Sequence, residues 1–271
     1  MKIKPRSIYF VIALSFIIFK ASAFAGTDVW AGGGGVSNIV WQFGANWVGG
    51  NVPAAGDQLV FTNTVSLTSS NNYAPATTFS GIAFATPAGT FNLNGNSVVL
   101  TNNITDNQVV TPESINLPMI INSPFNLNVN VTTSGVLNLN NVISGTGNLT
   151  NSGAGRVNLN GSNTVTGSLV INGGVVTVSQ ETNLPAAPIA PTPGNIIING
   201  GTLQALAGFT INSNRGMAIG PTSGSGQGTI SVNTEAATPN QYTTLNYGGA
   251  ITNNGGGAGG LTKLGFGNLV L

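Results

Sequence analysis

The chain has 271 residues, and only 5% are charged, against about 25% in ordinary globular proteins. It contains no histidine and no cysteine, which excludes disulfides, Ser-His-Asp and Cys-His nucleophilic systems, and most zinc sites. Four of the seven basic residues (Lys2, Lys4, Arg6, Lys20) precede residue 26; the remainder keeps Arg156, Arg215 and Lys263 against six acids, a formal net of −3. Three scattered cations cannot neutralise a run of phosphates, so no nucleic-acid partner is expected.

In chain order, the first element is an export signal over residues 1–25. Lys2, Lys4 and Arg6 precede an apolar run from Ile8 to Phe19, and Ala21-Ser-Ala23 and Ala23-Phe-Ala25 both fit small-x-small cleavage sites. The run is too short to span a bilayer, which takes about 20 apolar residues. Residues 26–61 follow as a candidate N-terminal cap, in which Trp30, Trp41 and Trp47 are clustered. A solenoid needs its end covered, and atypical terminal units do this. The three indoles are expected to pack as cap residues; their functional alternative is a sugar-stacking platform, which makes Trp30, Trp41 and Trp47 the candidate glycan contacts. Gly32-Gly-Gly-Gly35 is expected to be a turn, because no Lys-Ser/Thr follows it.

From residue 62 to 271 the pattern is short strands alone. In Phe125-Asn-Leu-Asn-Val-Asn-Val131, Phe125, Leu127, Val129 and Val131 share one face and the asparagines the other. Glycine (39) and asparagine (37) supply the turns between such runs. Gly147-Asn-Leu-Thr-Asn-Ser-Gly-Ala-Gly-Arg-Val-Asn-Leu159 and Gly260-Leu-Thr-Lys-Leu-Gly-Phe-Gly-Asn-Leu-Val-Leu271 share one skeleton: an apolar pair, a Gly-x-Gly kink, a second alternation. Ile171-Asn-Gly-Gly-Val-Val176 is repeated as Ile198-Asn-Gly-Gly-Thr-Leu203. The interval from Ile171 to Ile198 suits one coil of a solenoid, whereas a sandwich would space its strands by about 8–12. The fold class expected is therefore all-β: a right-handed, single-stranded parallel β-helix of roughly nine coils and about 45 Å, with Asn side chains stacked in ladders.

Leu184-Pro-Ala-Ala-Pro-Ile-Ala-Pro-Thr-Pro193 should leave the ladder as a loop over 184–195, since proline cannot donate to it. Arg215 is expected to be a structural corner that pairs with an acid of the adjacent coil. Asn253 to Gly260 reads as a flexible turn. The bare apolar Leu269-Val-Leu271 stops inside a repeat, so the chain is expected to be an N-terminal fragment, or a truncated copy, of a longer protein.

A carboxylate pair some 5–9 Å apart is the catalytic option that remains. The acids are Asp28, Asp57, Asp106, Glu113, Glu181 and Glu235, and only Asp106 and Glu113 are close in sequence. Glu113, behind Pro112, is expected in a loop. No catalytic residue, cofactor or metal is assigned, and the Gly-Gly-x-Gly-x-Asp repeat of calcium β-rolls is missing.

Gly259-Gly-Leu-Thr-Lys-Leu-Gly-Phe-Gly-Asn-Leu-Val-Leu271 resembles the autotransporter-associated β-strand repeat, also called the passenger-associated transport repeat. Residues 147–179 resemble it too, through Leu159-Asn-Gly161, Asn163, Gly167 and Ile171-Asn-Gly-Gly174. They depart from it at Asn151, where lysine is usual, and at Val165, where tyrosine is usual. Trp30-Ala-Gly32, Asn46-Trp47, Pro53 and Gly56-Asp57 are similar to the opening of such proteins, and Gly208 to Gly216 with Ile219-Gly-Pro221 fits the same group. The resemblance implies a secreted or surface-displayed, adhesin-like bacterial passenger without catalytic activity. The near-zero charge density suits contact with extracellular polysaccharide or neighbouring cells, and outer-membrane association would come through a C-terminal part missing here. A polysaccharide-acting enzyme or a glycan-binding module on the same scaffold is the alternative.

Overall fold

The structure, a computed structural model, describes residues 25–109, 111–124, 126–232 and 243–271. The expected export signal (but for Ala25), Phe125 and Glu235 therefore lie outside the described residues. All sheets are parallel, and they stack as a β-solenoid of about eight turns with almost no helix. No described helix is long and apolar enough to cross a membrane.

Each full turn carries up to three short strands, one per face. The first face is a ten-stranded sheet running from Thr27–Trp30 and Gln58–Phe61 to Arg215–Ile219 and Ile251–Asn253. The second is a nine-stranded sheet from Thr68–Asn71 to Ala258–Leu264. The third face is split. Four strands, Thr77–Phe79 to Ile143–Gly145, form one block, and Phe209–Ile211, Thr244–Tyr247 and Asn268–Val270 form another. Between the blocks the third face passes without a strand, and the buried Val165 and Leu184 fill the core there.

Side-chain alternation decides which residues stack inward. Register on the first face lines up Leu59, Ile82, Ile104 and Val129 through successive turns. Beside this row stand Leu127, Leu149, Leu169, Ile196 and Met217. All of these side chains are buried. Each apolar side chain thus covers its counterpart one turn away, and burial at about 25 cal/mol per Å² of apolar surface accumulates along the rod.

The glycine kinks have a packing cause. A Cβ at Gly153 would stand 2.1 Å from the Val131 amide nitrogen, and one at Gly155 would stand 2.2 Å from the Thr132 carbonyl oxygen. The chain bends there hard against the previous turn, so only hydrogen fits.

Several expectations are revised. Partners on the first face run Leu59, Ile82, Ile104, Val129, Asn151 and Ile171, and every one of these steps is shorter than the step from Ile171 to Ile198. The interval taken from the Ile-Asn-Gly-Gly repeat therefore belongs to the turn lengthened by the proline segment. Ile171 and Ile198 are true partners, but the two Gly-x-Gly matches are not. Leu149–Asn151 lies on the first face, whereas Leu261-Thr-Lys263 lies on the second. Any corner between two apolar strands takes the same pattern, so likeness in sequence did not mark equivalence in space. The ladder begins at Thr27, inside the segment assigned as cap. Strand Thr192–Ile198 begins inside the assigned loop 184–195 and is irregular in register between Thr192 and Ile196, where Pro193 has no N–H to give. Asn253 and Ala258–Gly260 are strand residues, leaving only 254–257 as a turn.

Candidate functional site

Trp30, Trp41 and Trp47 are buried, each exposing 2% or less. Trp47 meets Trp30 edge-on at 5.2 Å and Trp41 at 6.5 Å, and all three contact Phe61. Their indole N–H groups are also consumed: Trp30 donates to the Ser66 carbonyl (3.0 Å), Trp41 to Ser69 Oγ (3.0 Å) and Trp47 to the Trp41 carbonyl (2.7 Å). A sugar platform needs an exposed ring face, and these rings present none. The alternative that made the three tryptophans glycan contacts is therefore corrected; as expected of cap residues, they pack against the first aromatic layer of the core.

The polar feature that does reach the surface is a pair of amide ladders on the second face. Asn116 Nδ2 donates to Asn94 Oδ1 (3.0 Å), Asn140 to Asn116 (2.7 Å) and Asn160 to Asn140 (2.7 Å). Beside this row, Asn138 Nδ2 donates to Ser114 Oγ (3.3 Å), Asn158 to Asn138 Oδ1 (2.7 Å), and the Thr177 hydroxyl to Asn158 Oδ1. A primary amide has two N–H donors and two lone pairs, so Asn116 and Asn140 in the first row each keep one of each for solvent or a ligand, whereas Asn138 also donates to the Glu113 carbonyl (3.2 Å). They recur at the strand spacing of about 4.8 Å. Arg156 crosses the end of this face to reach Gln204 Oε1.

Arg215 is 1% exposed, and the structure gives it the expected acid partner one turn away, Glu181. Its Nε donates to Glu181 Oε1 (2.8 Å) and Nη1 to Asn195 Oδ1 (2.9 Å). Nη1 also reaches the Ala186 carbonyl (3.4 Å), and Nη2 the Pro185 carbonyl. The planar fork thus ties the proline segment to the core where the third face has no strand. With Arg215 buried, Arg156 and Lys263 are the cations left near the surface among the described residues.

Glu181 aside, the described side-chain carboxyls fall into two pairs. Asp57 accepts the N–H groups of Gly26 (2.6 Å) and Ala54 (2.7 Å). Burial opposes its ionisation, yet these two bonds and Asp28 hold its pKa below the usual 3.8. Asp28, beside it, is pushed up to about 6, chiefly by burial and then by Asp57.

The second pair is Asp106 and Glu113, both fully buried. Glu113 opens strand Glu113–Ile115 and faces the core, so its expected loop position is corrected: alternation with the inward Ile115 turns it in. Asp106 pairs in register with Phe84 below and Val131 above, and Glu113 with Leu137 above. On the turn below, Phe84 and Phe91 occupy the corresponding corner with ring centroids 6.2 Å apart. Asp106 Oδ1 accepts the Gln108 N–H (2.9 Å), and Glu113 Oε2 accepts the Phe91 N–H. Asp106 Oδ2, Glu113 Oε1, Thr111 Oγ1 and Gln108 Nε2 are buried without a hydrogen-bond partner. Burial raises Asp106 to about 6 against the Gln108 N–H. Burial first, then the neighbouring Asp106, raises Glu113 to about 8. The corner supplies three side-chain oxygens without a partner, short of the six to eight that calcium takes. Among the described residues no three His, Cys, Asp or Glu side chains gather as a metal site. The carboxyls are sealed from any polymer outside.

Compared with protein-family models, curated proteins and solved structures, the chain matches none of them.

Proposed function

We propose that the chain is a secreted or surface-displayed structural segment: a rigid, adhesin-like β-helical passenger of the autotransporter-associated repeat type, without catalytic activity. The observation that carries this reading is the amide-lined second face, whose surface charges among the described residues are Arg156 and Lys263, on a parallel solenoid. Stacked turns resist proteolysis without disulfides, and a face poor in charge makes contact without ionic specificity. Its partner is a neutral extracellular polysaccharide, met by many weak amide–hydroxyl bonds in series.

Two experiments test this. Antibody to residues 26–271 is used on cell, membrane and medium fractions; signal in the membrane or medium is expected, and signal confined to the cytoplasm would end the reading. In gels cast with neutral polysaccharide, the purified protein should be retarded, and Asn140→Ala with Asn160→Ala should reduce that retardation several-fold. Release of oligosaccharide from any polysaccharide would favour the enzyme alternative instead.

A further inference from the structure

The Asp106–Glu113 corner interrupts a core that is apolar on the turns to either side. The turn below fills the same two positions with Phe84 and Phe91, and the turn above fills them with Val131 and Leu137. The elements packed against the pair are Gly81–Phe84, Asn92–Gly95, Leu127–Val131 and Val136–Leu139, and none of them carries a titratable side chain. The titratable group that each carboxyl faces is therefore the other, with the Thr111 hydroxyl also beside Glu113. One oxygen of each already accepts a backbone N–H, and the second is buried and unpartnered, as is the Gln108 amide nitrogen.

We propose that this corner is a proton switch: the turn stays closed while the two carboxyls together hold a proton, and loosens locally when both ionise. Two carboxylates in an apolar corner without a cation carry an uncompensated desolvation cost and repel each other. Solvent is the available relief, and the local elements are short. Strand Glu113–Ile115 has three residues, and Gln108 is fixed by the Ala88 N–H on its Oε1 (3.3 Å) and the Thr132 hydroxyl on its carbonyl (3.0 Å). The adjoining turns give up only the bonds that face this turn and keep those to the turns beyond, so opening stays local. The raised pKa of Glu113, about 8, places the transition just above neutrality. This inference rests on the core geometry and holds whatever the protein binds outside.

The test is hydrogen exchange with mass spectrometry on the whole chain at pH 6 and pH 9, corrected for the chemical exchange rate. Peptides covering 104–108 and 113–117 should lose protection by roughly tenfold or more in the wild type. Peptides from 149–171 should not. Glu113→Gln, and Glu113→Leu (the residue type found one turn above), should retain protection at pH 9. In wild type, the infrared band of a protonated carboxyl should persist at pH 6 and vanish over the same range. Equal protection at both pH values, the same loss in both variants, or no such band at pH 6 would overturn the switch.

Discussion

At the scale of single residues, the side chains that matter most are polar groups in places built for apolar ones. Arg215 is held by a carboxylate, a side-chain amide and two carbonyls while almost fully buried. Removing it leaves the buried Asn195 amide oxygen and the Pro185 carbonyl without this donor, and the partly exposed Glu181 without its cation. Arg215→Ala is expected to cost about 3–5 kcal/mol in urea unfolding. Arg215→Lys should recover only part of that loss, because an ammonium cannot span the same fork. The opposite case is Trp30, Trp41 and Trp47, whose ring size suggested a binding surface. Ring size and spacing are visible in a sequence, but the direction in which a ring faces is set by the fold, and here all three face Phe61.

At the scale of the element, the corner rather than the strand is the specified unit. Most strands are only a few residues long and make few bonds of their own, and the glycine kinks let one turn lie on the next. Gly153→Ala pushes a methyl into the Val131 backbone. About 1–3 kcal/mol of destabilisation is expected from that overpacking, read as a shift of the urea midpoint without change of slope. Gly224 makes the contrasting control for space, since a Cβ there meets nothing within 4 Å, though its φ of +74° still favours glycine. The proline segment shows the other way to handle a corner. It leaves the ladder and is tethered by Arg215, at the cost of splitting the third face.

At the scale of the whole molecule, the carboxyls set how stability depends on pH. Asp28 and Asp106 are raised to about 6 and Glu113 to about 8. Each binds its proton more tightly when folded, so the stability it contributes is full below its ordinary value, 3.8 or 4.5, and is lost as pH rises through the raised one. Asp57 runs the other way: its contribution is present above 3.8 and is lost as pH falls through its lowered pKa. The melting temperature should therefore peak in mild acid and fall between about pH 5 and pH 9. Scanning calorimetry across that range checks it, and a flat or rising profile would contradict the assignment.

The class of fold follows from the residues alone. Alternating apolar residues, dense Gly and Asn turns and the Ile-Asn-Gly-Gly repeat require short stacked strands, because period-two burial and tight corners are local properties. Asn ladders were legible for the same reason; that Arg215 would need an acid was legible from its charge, while register between turns chose Glu181. Tertiary structure alone decided the turn length, since the interval from Ile171 to Ile198 contains an inserted loop whose size no local rule fixes. It alone separated the in-register repeat at Ile171 and Ile198 from the out-of-phase one at Leu149 and Leu261. It also turned Glu113 inward beside Asp106. Which side chains meet across a corner depends on register between turns that are distant along the chain, and that register is settled by the packing of the whole core.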